Sequence, residues 1–138
     1  MRKNKLKLVQ RWLEKARRDL LTSQRSLQAK EAFTDVVCFH AQQAAEKYLK
    51  VYLIWKELNF PKTHALEDLA LLAAQSDPDF LELKDNVATL TPHAVEARYP
   101  EFDEPTLTDA REAVTLAKRV KEVVIKRLPE QVMGKERA

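Results

Sequence analysis

The side chains best suited to chemistry in this chain are polar residues in three separate stretches. They are His40, Gln43 and Lys47, then Thr63 and His64, and then Arg98 and Tyr99. Lysine and arginine grip phosphate groups, histidine exchanges protons near neutral pH, and a tyrosine ring can stack on a nucleobase. We therefore predict that these residues form a binding site for a nucleotide or RNA.

Four of these residues also have an ordinary structural explanation. Thr63 is predicted to cap a helix start, where free backbone N–H groups favour an anion. His64 is then either an anion ligand or a hydrogen-bonding residue beside that cap. His40 is either a site residue or a satisfied histidine inside a helical bundle. Arg98 either grips a phosphate or forms a salt bridge with an acid of its own loop.

The sequence lacks the spacing that metal sites and common nucleophiles need. No H-x-x-x-H, C-x-x-C, H-E-x-x-H or G-x-S-x-G element occurs, so we predict no metal site and no catalytic residue. Cys38 lies about 160° around its helix from His40, at 100° per residue. That angle excludes a Cys–His nucleophile pair, and Cys38 is predicted to be a small core residue.

The composition favours a single all-helical domain. The chain has 138 residues and one glycine, which argues against turn-rich β structure and against a Gly-rich phosphate loop. One cysteine excludes a disulfide within the chain and favours a cytoplasmic location. No apolar run is long enough for a membrane span. We predict one domain over residues 1–138, with a core at about 5–128 and a flexible tail at 129–138.

Charge is distributed unevenly along the chain. Residues 1–18 contain eight Lys/Arg and one Glu, and residues 118–138 contain seven Lys/Arg and three Glu. The region between them is acidic. If the first and last helices are antiparallel, the two basic ends share one pole, which favours nucleic acid or phosphate. The alternative is a solubilising tail with cations at a helix C-terminus.

Apolar residues recur with helical spacing over most of the chain. The pattern predicts helices at 5–29, 33–58, 64–75, 78 to about 97 with a bend near Pro92, and 107–128. Asp77 and Thr106 are the other predicted N-caps, and Asp109 completes a capping box with Thr106. Asp19 flanks the core stripe of the first helix. It pairs either with a residue of a neighbouring helix or with a lysine or arginine beside it.

The helix at 33–58 is apolar on more than one side. Val37, Ala41, Tyr48 and Tyr52 share one face, whereas Leu49 and Leu53 point elsewhere. Such a helix is either central in its own fold or shared with a second subunit. We predict that the excess apolar surface of this helix forms a subunit interface in addition to its own bundle core.

Three stretches, FHAQQAAEKYLKVYL, FPKTHALEDL and EARYPEF, occur in this order. In residues and spacing they resemble the HEPN domain family (higher-eukaryote and prokaryote nucleotide binding) over roughly residues 8–125. The resemblance implies an all-α, up-and-down bundle of four main helices plus one short helix, with subunits that commonly dimerise. The matching family positions are His40, Gln43, Glu46, Lys47, Thr63, His64, Arg98 and Tyr99.

The resemblance also carries expectations about function. Many family members are encoded beside, or fused to, a minimal nucleotidyltransferase, and some are toxins of toxin–antitoxin pairs. The ribonuclease members carry an R-x4-6-H motif whose Arg and His cleave RNA across a dimer. Here no histidine follows Arg98 at that distance, and no arginine precedes His40, His64 or His93 at that distance. The nuclease motif is absent, so no catalytic residue is carried over.

We therefore predict a dimeric HEPN protein that lacks the ribonuclease motif and acts with a minimal nucleotidyltransferase. It is expected to bind a nucleotide or RNA and to need no other cofactor. The first alternative is a divergent ribonuclease toxin, with Arg98 and either His40 or His93 at its site. The second is a structural interaction module that only holds or neutralises a partner.

Overall fold

The computed structural model describes residues 2–133, and within this range the chain is all-α, as predicted. The long helices are α1 (Arg2–Gln28), α2 (Thr34–Trp55) and α6 (Leu107–Ile125). Four shorter helices are α3 (Leu66–Ala74), α4 (Leu81–Ala88), α5 (His93–Glu96) and α7 (Glu130–Met133), and a 3₁₀ turn at Pro78–Phe80 precedes α4. No helix in this range is long and apolar enough to cross a membrane.

The helices alternate in direction around α2, which packs against α1 and against α6. Lys5 near the start of α1 reaches Glu57 after the end of α2, at 3.6 Å between Nζ and Oε2. Gln10 donates a hydrogen bond of 3.2 Å to the carbonyl oxygen of Gln131, beyond the end of α6. The start of α1 therefore lies beside the ends of α2 and α6, so the basic start of α1 and the basic residues within 118–133 share one pole.

The segment from the 3₁₀ turn to α5 forms the fourth leg of the bundle. Near its beginning, the ring of Phe80 lies 4.5 Å from that of Tyr52 near the end of α2. Just after its end, the guanidinium of Arg98 lies 5.6 Å from the ring of Phe39 near the start of α2. This leg was predicted to be one helix bent near Pro92. Instead α4 ends at Ala88 and α5 starts after Pro92, because proline disfavours helix at the residue before it.

Helix α2 is the centre of the core. Leu49 and Leu53 are fully buried, as are Val37, Ala41 and Tyr48 on the other face. All of these side chains are covered by the chain itself. These five residues therefore give no reason to expect a subunit interface, and the prediction that they form one was wrong.

Local capping chemistry agrees with the sequence at two of the three predicted positions. Asp77 accepts a hydrogen bond from the backbone N–H of Asp79, with Pro78 next to it. Thr106 and Asp109 form the predicted capping box. At the third position α3 starts later than predicted, with Ala65 at its N-cap and no capping side chain. In the stretch predicted to be a flexible tail, residues 130–133 form α7, and residues 134–138 lie outside the described range.

Glu57 terminates α2 in a conformation that favours glycine. Its φ is 57°. The backbone N–H groups of Leu58 and Glu57 donate to the carbonyl oxygens of Leu53 and Ile54, at 2.9 and 3.0 Å. This is a Schellman motif, in which the left-handed residue is usually glycine because a Cβ atom is strained there.

The substitution Glu57→Gly should therefore raise the free energy of unfolding by about 1 kcal/mol, because it relieves the left-handed strain. The ion pair with Lys5 is exposed, so its loss costs little. Urea denaturation monitored by circular dichroism measures the change. Glu57→Ala is the control, since it loses the same ion pair but keeps a Cβ atom. An equal response in both variants would contradict the explanation.

Candidate functional site

A row of polar side chains runs along α2 between α1 and the start of α3. His40, Gln43, Lys47 and Lys50 recur at helical spacing and so lie on one line, with Gln42 and Glu46 beside it. Asp19 of α1 and His64 before α3 contact this row. We call these eight residues the α2 seam.

One half of the α2 seam is organised by Asp19. Its carboxylate accepts from Nδ1 of His40 at 3.0 Å and also pairs with the ammonium group of Lys47. Asp19 therefore takes its partners from a neighbouring helix, one of the two possibilities that the sequence left open. This also means that Lys47 is already ion-paired, so any phosphate must compete with Asp19 or use the remaining N–H donors.

The other half of the α2 seam is organised by Glu46, whose side chain is 6% exposed. Its carboxylate contacts Nζ of Lys50 at 2.9 Å, Nδ1 of His64 at 2.8 Å and Nε2 of Gln42 at 3.2 Å. Burial alone would raise the pKa of Glu46. The hydrogen bonds from His64, Lys50 and Gln42 outweigh that effect and hold the pKa below its ordinary value. Glu46 is therefore a carboxylate at neutral pH.

Lys50 is a buried cation with several compensating contacts. Besides Glu46, its ammonium group lies 5.8 Å from the ring centre of Trp12 and 5.8 Å from that of Phe60. Cation–π attraction strengthens when water is excluded. Lys50 thus neutralises Glu46 and is not available as a free phosphate ligand.

The two histidines of the α2 seam are held in the same way. An ionised carboxylate only accepts hydrogen bonds, so Nδ1 carries the proton in both His40 and His64 when the ring is neutral. Neither Nε2 atom has a partner among the described residues. The side chain of His64 is 60% exposed and that of His40 is 28% exposed. Both can offer Nε2 to a ligand, as an acceptor when neutral or as a donor to phosphate when protonated.

Two backbone N–H groups at the start of α3 already donate to side chains of the protein. Thr63 Oγ1 accepts from the N–H of Ala65 at 3.0 Å, and Thr91 Oγ1 accepts from the N–H of Leu66 at 3.0 Å. Thr91 in turn donates to Glu67. These two threonines therefore reduce the number of N–H groups at this helix start that an anion could use.

Arg98 and Tyr99 lie in a different place, a cleft of about 610 Å³ between α5, the loop after it and the start of α6. Five acidic residues line this cleft: Asp35, Glu96, Asp103, Glu104 and Asp109. Among the described residues Arg98 makes no ion pair with any of them; instead it stacks on Phe39. The ring of Phe39 is 5.3 Å from that of His40, so it connects the cleft with the α2 seam.

The remaining histidine and the cysteine are poor phosphate ligands. His93 lines the same cleft, and burial lowers its pKa. Cys38 is buried as predicted, and burial, together with Asp109 and Asp35, raises the pKa of its thiol to about 12. A thiol in this state is not a nucleophile at neutral pH. Within residues 2–133 no group of three or more His, Cys, Asp or Glu could hold a metal ion.

The structure therefore divides the predicted residues into two groups. His40, Gln43, Lys47 and His64 lie on the α2 seam, whereas Arg98 and Tyr99 lie in the acidic cleft. Sequence reasoning missed Gln42 and Lys50 as seam residues. Their signal was present, because Gln42, Glu46 and Lys50 are spaced by four and meet on one helix face.

Comparison with known proteins identifies the family. The model of the HEPN domain matches residues 9–128. The crystal structure of TT1696 from Thermus thermophilus is similar at 29% identity and a TM-score of 0.70, over 87% of this chain and 98% of that one. ST0689, an archaeal HEPN homologue, shares the fold at 24% identity and a TM-score of 0.68, over 86% and 96% of the two chains. None of the curated proteins matches. The chain belongs to the HEPN domain family.

Proposed function

We propose that this HEPN-domain protein binds a phosphate-bearing ligand, a nucleotide or RNA, at the α2 seam and does not cleave it. The single observation that supports this best is a pair of histidines that carboxylates hold at Nδ1, with no partner at Nε2 among residues 2–133. Five ionisable groups of the α2 seam lie on packed helices, where they cost stability and where apolar residues would often be at least as stable. Keeping them there suggests a role beyond the fold.

The absence of R-x4-6-H supports binding without cleavage. The proposed ligand contacts are Nε2 of His64, Nε2 of His40, the N–H groups of Lys47 that Asp19 leaves open, and the amide of Gln43. The amide group of Gln43 already donates a hydrogen bond of 2.7 Å to the side-chain oxygen of Gln42, and this bond orients Gln43. The acids around Arg98 and Tyr99 repel phosphate, so Tyr99 is not a proposed contact and Arg98 contributes at most through its contact with Phe39.

Thermal unfolding with ATP and with 5′-phosphorylated RNA tests this proposal. A ligand at 100 times its Kd stabilises the folded state by about 2.7 kcal/mol, which raises Tm by several degrees. His64→Ala should abolish the shift with little change in basal Tm, because the side chain is mostly exposed. His93→Ala is the matched control and should keep the shift. Binding at the α2 seam would be ruled out if no ligand raised the Tm of the wild type. It would also be ruled out if both variants lost the rise in Tm equally.

We also propose that the protein acts as a homodimer and as the partner of a minimal nucleotidyltransferase. Exposed apolar residues lie on or next to the segments that line the acidic cleft, which supports a protein-binding surface there. They are Phe33, Val36, Val95, Tyr99, Phe102 and Leu107. Native mass spectrometry of the purified protein reports the dimer, the partner and a bound nucleotide together. A monomer that copurifies with no partner would contradict both assignments.

A second candidate is the divergent ribonuclease, which one observation favours: His93 and Arg98 line the same cleft. The lowered pKa of His93 leaves it neutral at pH 7, as a general base must be. The five acids of the cleft argue against it, since RNA is a polyanion. RNA degradation by the wild type that His93→Ala abolishes would establish this activity. Equal traces in both proteins would identify contamination.

A further inference from the structure

The outward face of α1 carries a straight row of cations. Lys7, Arg11, Arg18 and Arg25 are exposed, with at most about 40° between them around the helix at 100° per residue. They lie opposite the buried side of α1. The row is about 27 Å long, at 1.5 Å per residue from position 7 to position 25.

This face is almost entirely of one sign. Helix α1 contains two acids, of which Asp19 points to α2. The other, Glu14, is shared between Arg17 and Arg18 at 3.4 Å each. Within the described residues, no ion pair is formed by the other exposed cations of the helix. These are Lys7, Arg11, Lys15 and Arg25.

An ordinary solvated helix face would not look like this. Lys7, Arg11 and Lys15 are spaced by four, so neighbours on the helix repel each other. The first turn of α1 has no acid, although the helix dipole favours one there. At the same spacing, α6 in contrast alternates Lys118 and Glu122 with Lys126, its C-cap residue. The arrangement on α1 destabilises the isolated helix, which points to a polyanionic partner that relieves the repulsion.

We propose that the outward face of α1 binds the phosphate backbone of double-helical nucleic acid. A duplex carries about one negative charge per 1.7 Å of axis, so a straight row of cations can neutralise several phosphates at once. The face carries no exposed aromatic ring, which single-strand binding normally uses for stacking. Contacts to phosphate alone make the binding independent of sequence. The face is separate from the α2 seam and does not depend on it.

Fluorescence anisotropy with a 20-bp RNA duplex, the matching DNA duplex and each single strand tests the proposal. Four phosphate contacts predict a slope of about −3.6 for log K against log salt. Affinity for a duplex should then fall roughly 150-fold between 50 and 200 mM NaCl. The triple variant Lys7→Gln, Arg11→Gln, Arg25→Gln should reduce the slope to about −1 and weaken binding at 50 mM at least tenfold. The RNA and DNA arms show which duplex is preferred.

The matched control is Lys118→Gln, Arg119→Gln, Lys126→Gln, which removes the same charge from α6 and should change affinity less than about threefold. Circular dichroism verifies that both variants fold. The proposal would be overturned if both triple variants lost the same amount of duplex affinity, or if single strands bound more tightly than the duplex. It would also be overturned if the protein bound phosphatidylserine vesicles but no duplex. A wild type that binds no duplex at 50 mM NaCl would overturn it as well. The rise in Tm with ATP should persist in the α1 triple variant. Loss of duplex binding therefore tests the α1 face, and loss of the ATP-induced rise in Tm tests the α2 seam.

Discussion

Replacing Glu46 with alanine should lower the free energy of unfolding by about 3 kcal/mol, because it leaves the buried ammonium group of Lys50 without its acid. Glu46 is 5% exposed and Lys50 is 9% exposed, so water cannot replace the lost partner. The variant also frees Gln42 and His64 from their shared acceptor. Urea denaturation at pH 7 measures the change.

Two variants make this result interpretable. Glu112→Ala removes an exposed acid from α6 and should change stability by less than about 0.5 kcal/mol. The double variant Glu46→Leu, Lys50→Met should recover most of the loss, because it removes both charges at once. If Glu46→Ala unfolds at the same urea concentration as the wild type, the contacts of Glu46 do not stabilise the fold.

The same carboxylate predicts a dependence on pH. The pKa of Glu46 is lower in the folded state than the ordinary value of 4.5. Its stabilising contribution is therefore fully present above pH 4.5 and is lost as the pH falls toward the folded-state pKa. The difference in unfolding free energy between the wild type and Glu46→Gln should shrink below pH 4.5. A difference that stays constant down to pH 3 would contradict the assignment.

Tyr52→Ala should cost about 3–5 kcal/mol, the usual range for deleting a buried aromatic ring. Tyr52 is 1% exposed. Its ring packs on Phe80, and its hydroxyl group contacts Ser76 at 3.0 Å. This one side chain therefore docks the start of the fourth leg against α2. Thermal unfolding, with the calorimetric enthalpy, measures the loss.

Tyr52→Phe separates the two contributions, since it removes only the hydroxyl group and should cost about 1 kcal/mol. Tyr99→Ala is the exposed control and should leave Tm within about 2 °C of the wild type. A Tyr52→Ala variant as stable as Tyr99→Ala would mean that the fourth leg is held by other contacts.

The elements that the sequence predicted well are those decided by local chemistry. The long helices follow from apolar residues at helical spacing, and the caps at Asp77 and Thr106 each use a side chain within three residues. Thr63 failed as a cap because Thr91, far along the chain, reaches the N–H of Leu66. Only the tertiary fold brings those two residues together.

In the candidate site, too, the sequence predicted local features and missed those that depend on the tertiary fold. His40, Gln43 and Lys47 were found because polar residues on an inner helix are conspicuous. Their ion pairs were not predictable, since Asp19 and Lys47 are 28 residues apart. Three of the five acids around Arg98 are close to it in sequence, but Asp35 and Asp109 come from two other helices and only the fold brings them there. A motif match therefore identified Arg98 without revealing that its cleft repels phosphate.

The most direct test of the α2 seam is nitrogen NMR of the three histidine rings during titration with ATP and 5′-phosphorylated RNA. If the ligand binds as proposed, the Nε2 resonances of His64 and His40 shift in a saturable way, and those of His93 stay in place. Saturable shifts confined to His93 would move the site to the acidic cleft. No shift at any histidine with millimolar ligand would contradict binding at the α2 seam.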